Sequence, residues 1–211
     1  MFNFKSKLSA KKRFDKVEIT EQAIDKVPYI KYKGVDKKTC EIIQHLAKLV
    51  LRISKEKNDN DEVAITFEMP IEIITTEGKD IDDILKELTY GVAYGDGNSV
   101  VLESDTLTNH ILISSAAATV IVLHNHPTPQ TLSFDDLAVF FSYASIKMML
   151  VVSNQGKIHY IIKKANYEYP KAYKLMEKYS KLLGKAKDLD EAYAETKKLL
   201  KECSQIGLFY Q

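Results

Sequence analysis

The stretch HILISSAAATVIVLHNHP, residues 110–127, contains the most apolar strand that the sequence predicts, and it closes on two histidines. Its segment TVIVLHN is a nearly continuous apolar run of the length typical of a buried strand. Side chains two residues apart in a strand point to the same face, so His124 and His126 can present two imidazoles to one ion. The stretch therefore predicts a buried strand whose two histidines are either metal ligands or packed side chains of the core.

The next segment, SFDDLAVFFSYASI (133–146), predicts an apolar helix that begins just after the histidines. Zinc is usually four-coordinate, and two histidines leave room for a carboxylate and a water. Asp136 is the preferred third ligand, because the SxxD spacing from Ser133 favours it over Asp135. Ser133 and Asp136 also form an ordinary capping pattern, with Ser133 as N-cap. Taken together with HxHP, the same residues favour a metal site.

Outward from this centre, the pattern alternates between helices and strands. GKDIDDILKEL (78–88) predicts a helix that begins at Asp80, and YGVAYGDGNSVVLES (90–104) predicts two strands around a Gly-Asp-Gly-Asn turn. KMMLVVSNQGKIHYIIKK (147–164) predicts a second hairpin. These elements indicate an α+β fold, layered α/β/α, with a mixed central sheet flanked by helices.

The two ends of the chain are expected to be extensions of a core at 78–165. Residues 1–77 comprise a basic, poorly ordered leader to about residue 20, an amphipathic helix and short strands, and residues 166–211 form a helical C-terminal segment. The sequences behind these predictions are DKKTCEIIQHLAKLVLRIS (36–54) for the helix and KEKNDNDE (55–62) for a charged turn. VAITFEM (63–69) and IEIITT (71–76) predict two strands, or one strand broken at Pro70, and the Lys- and Leu-rich region 170–203 predicts one or two C-terminal helices.

Composition excludes several classes of protein. The 211 residues carry a net charge of +1, and their basic residues are 28 Lys and only two Arg, which argues against sequence-specific nucleic-acid binding. No apolar run approaches the roughly 20 residues that span a bilayer, so no membrane association is expected. Cys40 and Cys203 show no CxxC spacing and no disulfide framework, which predicts a cytoplasmic protein.

The pattern HNHP followed by SxxD resembles the motif of the JAMM (JAB/MPN+) metalloproteases, in the form similar to the RadC-like and phage- or mobile-element-associated bacterial branch. The resemblance covers about residues 80–164. The family adds a glutamate ahead of a strand with small residues, and KELTYGVAYG places Glu87 there; Glu77 and Glu103 also lie upstream of the histidines. The resemblance implies a JAB/MPN-like core, similar to that of cytidine deaminases, with helical extensions.

The resemblance also implies a chemistry. His124, His126 and Asp136 would hold zinc, with water as the fourth ligand. Glu87 would pass a proton from that water to the leaving amine, and Ser133 would donate a hydrogen bond to the oxyanion. The expected activity is zinc-dependent hydrolysis of a peptide or isopeptide bond in a protein or peptide-conjugate substrate.

Two other functions stay open at this stage. The chain could be a non-catalytic JAB-like interaction module that docks a protein partner through its terminal helices, or a RadC-like DNA-associated protein, which the near-neutral charge disfavours. An HNH nuclease is rejected, because its three residues are spread along a ββα unit. A zinc deaminase is rejected, because the sequence has no PCxxC element.

Overall fold

The computed structural model describes residues 16–69 and 80–211, and within these ranges it contains seven α-helices and six strands. The prediction of an α+β fold with a mixed sheet flanked by helices is confirmed. In chain order the elements are α1 (Glu21–Asp25), α2 (Lys37–Lys57), β1 (Val63–Glu68), α3 (Ile81–Glu87), β2 (Tyr90–Tyr94), α4 (Thr106–Ser114), β3 (Val120–His126), α5 (Phe134–Ser142), β4 (Ile146–Ser153), β5 (Ile158–Lys163), α6 (Tyr169–Leu183), α7 (Leu189–Glu202) and β6 (Leu208–Tyr210).

The six strands form one sheet in the order β2-β1-β3-β4-β5-β6. Neighbouring strands are antiparallel except β3 and β4, which are parallel and are joined by a crossover through α5. Ala64 of β1 lies opposite His124 of β3. Because β3 ends at His126, the crossover starts from the end of the strand that carries the histidines. It brings the first turn of α5 back beside them.

Each face of the sheet is covered by its own helices. The face that we call the α2 face carries Ile65 and Leu123 and packs against α1, α2 and α3. The opposite face, the α5 face, carries Ala64 and Val122 and packs against α4, α5, α6 and α7. All seven residues of β3 are buried, as expected for a strand covered on both sides.

The two cysteines are buried free thiols on opposite faces of the sheet. Cys40 belongs to the core of the α2 face, and Cys203, which directly follows α7, belongs to the core of the α5 face.

Most predicted elements are present. The helices expected at 36–54, 78–88, 133–146 and 170–203 are α2, α3, α5 and the pair α6 and α7, and the hairpin expected at 147–164 is β4 and β5. Strand β1 confirms the prediction for 63–69, and it pairs with both β2 and β3 inside the common sheet. Strand β6, which the sequence analysis did not anticipate, extends the sheet beyond β5.

The prediction of a second strand in 90–104 is wrong. The Asp96 carboxylate accepts the N–H groups of Asn98 and Ser99 and closes the predicted turn. The chain then enters a 3₁₀ segment at Leu102–Ser104 and goes directly into α4, whose N-cap is Asp105. Helix α4 packs across β2, so the chain after the turn covers the face of the sheet instead of extending its edge.

Residues 16–20, expected in a poorly ordered leader, are tied to the sheet. The Val17 N–H donates to the Pro127 carbonyl at 2.9 Å, and the Asn154 side chain donates to the Val17 carbonyl at 2.7 Å. The strand predicted at 71–76 and the leader before residue 16 lie outside the described residues.

Among the helices that the structure describes, none combines the length and apolar character needed to cross a membrane.

Candidate metal centre

The C-terminal end of β3 brings two imidazoles together on the α5 face. His124 and His126 are both buried, and their Nε2 atoms lie 3.0 Å apart. The period-two alternation of the strand produces this arrangement, because it sends both side chains to one face and Asn125 to the other. The pairing predicted from the HNHP motif is therefore present.

Asp136 completes a triad with the two histidines. Its Oδ1 atom is 3.1 Å from His124 Nε2, and its Oδ2 atom is 3.4 Å from His126 Nε2. Ser133 and Asp136 also form a full capping box at the start of α5, in which the Ser133 N–H donates to Asp136 Oδ2 and the Asp136 N–H donates to Ser133 Oγ. The cap holds the Asp136 carboxylate in place against the histidines. Helix capping and a metal ligand, the two interpretations of SxxD, are therefore compatible in one arrangement.

The donor set fits a metal cation. One ligand atom from each of His124, His126 and Asp136 lies within 4.8 Å of the others. Burial favours the neutral form of Asp136, but the attraction of the two imidazoles outweighs it and holds the pKa of this carboxyl well below its usual value. Two imidazole nitrogens and an ionised carboxylate converging in a buried site are the ligands that a divalent transition metal takes.

Glu62 is a fourth functional group at this centre, and the sequence analysis missed it. It directly precedes β1, and continuing the register from the pair Ala64 and His124 sets it opposite His126. Its exposed fraction is only 6%. Burial, together with the negative charge of Asp136 and against the influence of His126, raises the pKa of Glu62 to about 8.

The backbone of Glu62 is held firmly. Its N–H donates to the Asp96 carbonyl, and its own carbonyl accepts the N–H of Gly95 at 2.8 Å and the Asn58 side chain at 2.9 Å. In the sequence, Glu62 is the last residue of the run 55–62, which is predicted to be a charged turn; in the structure α2 continues to Lys57 before the chain turns. No local pattern marks Glu62, because the register of β1 against β3 is what sets it opposite His126.

Glu87, the glutamate that the family resemblance selects, lies away from the triad. It is the last residue of α3, is exposed, and belongs to a helix that packs on the α2 face through Ile84. The following strand pairs Tyr90 with Phe67, and Phe67 lies opposite Ile121, five residues or about 16 Å along β3 from His126. The structure thus does not bring Glu87 to the histidines.

The remaining candidates are also accounted for. Glu103 accepts a hydrogen bond from the Tyr143 hydroxyl, and Asp135 is exposed beside the triad without joining it. Glu77 lies outside the described residues. Ser133 lies at the rim of the site, where its oxygen accepts from Asp136.

Asn125 faces away from the triad, as expected, and it fastens the strand ends around the site. Its Oδ1 atom accepts the Val63 N–H at 2.8 Å, and its Nδ2 atom donates to Asn154 Oδ1 at 2.8 Å, to Ser54 Oγ and to the Asp61 carbonyl. These bonds join β3 to the ends of β1, β4 and α2. They also hold the segment that carries Glu62 in register with His126.

Helix α7 approaches the triad from the α5 face. Burial and the negative charge of Asp136 together raise the pKa of Tyr193 on this helix to about 12.

Comparisons of the chain with protein-family models, with curated proteins and with solved structures give no match. The likeness to the JAMM family therefore stands on the motif residues alone.

Proposed function

We propose that this protein is a zinc-dependent hydrolase of the JAMM type, with a JAB/MPN-like core, that cleaves a peptide or isopeptide bond. The observation that carries the proposal is the convergence of His124, His126 and Asp136, with buried Glu62 opposite His126. Catalytic zinc sites use three protein ligands and keep a fourth position open, and this centre supplies three.

His124, His126 and Asp136 would hold the metal. When bound, zinc supplies Lewis acidity and lowers the pKa of water toward about 7. The capping box of α5 orients Asp136 for this role, and the strand β3 orients both imidazoles.

Glu62, rather than Glu87, is the general base of this proposal. Its buried carboxyl lies opposite His126, and the positive charge of a bound zinc beside it would favour the ionised form, which accepts a proton from water and delivers it to a leaving amine. Its burial shields it from bulk water, and its backbone hydrogen bonds fix the chain at this position.

Ser133 would stabilise the oxyanion. Its oxygen already accepts the N–H of Asp136, so its hydroxyl proton remains for donation to the tetrahedral intermediate. Its position at the rim of the triad suits a contact with the carbonyl oxygen of a substrate.

The test begins with metal content. We expect about one zinc per chain in the purified protein by elemental analysis, lost in His126→Ala and retained in Glu62→Gln. Hydrolysis of a fluorescence-quenched library of linear peptides and lysine isopeptides should fall by about 100-fold or more in Glu62→Gln. Glu87→Gln, a matched control, should keep both the metal and the rate.

Two outcomes would reject parts of this proposal. Absence of zinc after incubation with zinc at neutral pH would reject the hydrolase and leave a binding module. Full activity in Glu62→Gln together with loss of activity in Glu87→Gln would reject the assignment of the base.

A further inference from the structure

A cavity of about 520 Å³ lies between α7, β6 and the loop that precedes α5. We call it the lysine pocket, since three lysines, Lys164, Lys197 and Lys201, belong to its lining. Leu200 and Leu208, from the core of the α5 face, form its apolar part.

The lysine pocket has an unbalanced charge. No Asp or Glu belongs to its lining, and within the described part of the chain none of its three lysines forms an ion pair. Lys198, on another side of α7, differs in this respect, since it contacts Glu195 at 2.6 Å. The lining therefore carries positive charge without a compensating carboxylate.

The loop before α5 connects the lysine pocket to the metal centre. Thr131, which lines the pocket, is two residues before Ser133, the N-cap of the helix that carries Asp136. Lys197 and Lys201 are spaced by four residues and so lie along one side of α7.

We propose that the lysine pocket binds an acidic segment of the polypeptide whose bond is cleaved at the metal centre. This inference rests on the proposed hydrolase function and adds a substrate class to it. The lysine ammonium groups pair with carboxylates of the segment, and the apolar part formed by Leu200 and Leu208 covers an apolar side chain beside them.

The pocket suits a peptide better than a nucleic acid. Bases bind single-strand sites mainly by stacking on open aromatic faces. The ring of Phe209 is covered by the Lys164 ammonium, 5.7 Å from its centroid, which leaves Tyr210 as the one other aromatic residue of the lining. The net charge of +1 also provides little long-range attraction for a polyanion.

Binding can be measured without catalysis. The probe is a fluorescein-labelled ten-residue peptide with four adjacent glutamates, and its partner peptide has glutamine at those positions. Fluorescence anisotropy with the full chain at low salt should show preference for the glutamate peptide. In Lys197→Gln/Lys201→Gln the affinity for it should fall by about 2- to 30-fold, since two exposed ion pairs are lost.

The matched control is Lys185→Gln/Lys198→Gln, which removes the same charge from outside the pocket and should leave the affinity unchanged. Equal losses in the two double variants, or equal binding of the two peptides, would overturn the proposal. Tighter binding of a single-stranded oligonucleotide through Lys197 and Lys201 would also overturn it, in favour of a nucleic-acid site.

The same assay in His126→Ala separates this inference from the hydrolase proposal. Retained peptide binding in that variant supports the lysine pocket whatever the metal analysis gives. If zinc-containing wild-type protein shows no preference for the glutamate peptide, the proposal for the lysine pocket is rejected and the proposal for the metal centre stands.

Discussion

Lys163, the last residue of β5, carries an amine into the core of the α5 face. It is 3% exposed, its Nζ donates to the Tyr143 carbonyl at 2.9 Å, and it lies over the rings of Phe140 and Tyr167. No carboxylate among the described residues pairs with it. Burial, followed by the like charge of Lys147, lowers the pKa of Lys163 to about 7.

This buried lysine predicts a pH-dependent stability. The unfolded chain holds the Lys163 proton up to about pH 10.5, whereas the folded chain releases it near pH 7, so the free energy of unfolding should rise between these values. Below pH 7 both states are protonated and this contribution is constant. Lys163→Met should flatten the rise, by up to about 1.4 kcal/mol for each unit of pKa shift.

Urea unfolding at pH 6.5, 8 and 9.5 checks this prediction. Lys185→Met, at an exposed lysine, should keep the slope of the wild type. A slope unchanged in Lys163→Met would show that the amine is not desolvated as the structure has it.

The proposed metal ligands and the proposed general base differ in how far the sequence could predict them. His124 and His126 share a face through the strand period, and Asp136 follows from the first turn of a capped helix; both rules act within a few residues. Glu62 approaches His126 only because β1 pairs with β3 in one register. Such pairing between residues 64 positions apart leaves no local signal in the sequence, so the order of residues in the family motif pointed to Glu87 instead.

At the scale of elements, β2 and α4 come unusually close at Gly91. A Cβ atom there would lie 2.2 Å from Thr108 Oγ1, 2.5 Å from the Thr108 backbone nitrogen and 2.6 Å from Asp105 Oδ1. Asp105 is the N-cap of α4 and accepts the Thr108 N–H. A glycine at this position is therefore what allows the capped end of α4 to sit on the strand.

Gly91→Ala should destabilise the protein by about 2–4 kcal/mol, because the methyl group overpacks the contact and displaces the cap. Gly184→Ala is the matched control: its φ of −64° is helical and its new Cβ would be no closer than 3.4 Å to Ser180 O. That variant should gain about 0.4–1 kcal/mol. Urea denaturation compares the two, and an unaffected Gly91→Ala would contradict the close approach.

The two predicted hairpins show why element prediction succeeds in one place and fails in another. In 147–164 both arms are apolar enough to be buried, and they pair as β4 and β5. In 90–104 the turn forms as predicted, but its second arm is followed immediately by the Asp105 cap of α4. The chain after the turn therefore forms a helix across β2 in place of the expected second strand.

For the whole molecule, the central strands belong to both cores. Within β3, Ile121 and Leu123 pack in the core of the α2 face, and Val120 and Val122 pack in the core of the α5 face. Strand β1, from the region expected to be an extension, is likewise paired on both edges. Loss of either helical layer would expose one side of this shared sheet.

We therefore expect a single cooperative unfolding transition. Leu46→Ala in α2 and Phe140→Ala in α5, both fully buried, should each lower the stability by about 2–5 kcal/mol and move the same transition. Circular dichroism and tyrosine fluorescence should report coincident midpoints in urea. Two transitions, each moved by only one of the variants, would instead separate residues 1–77 as an independent unit.

The opposite placement of Cys40 and Cys203 gives the protein an internal pair of chemical reporters. Burial raises the pKa of both thiols, that of Cys203 to about 12, so each is inert while its layer stays closed. A thiol reagent reaches Cys40 only when the α2 layer lifts from the sheet, and Cys203 only when the α5 layer does. The two labelling rates therefore report separately how fast each helical layer opens from the sheet, without a tag added to the chain.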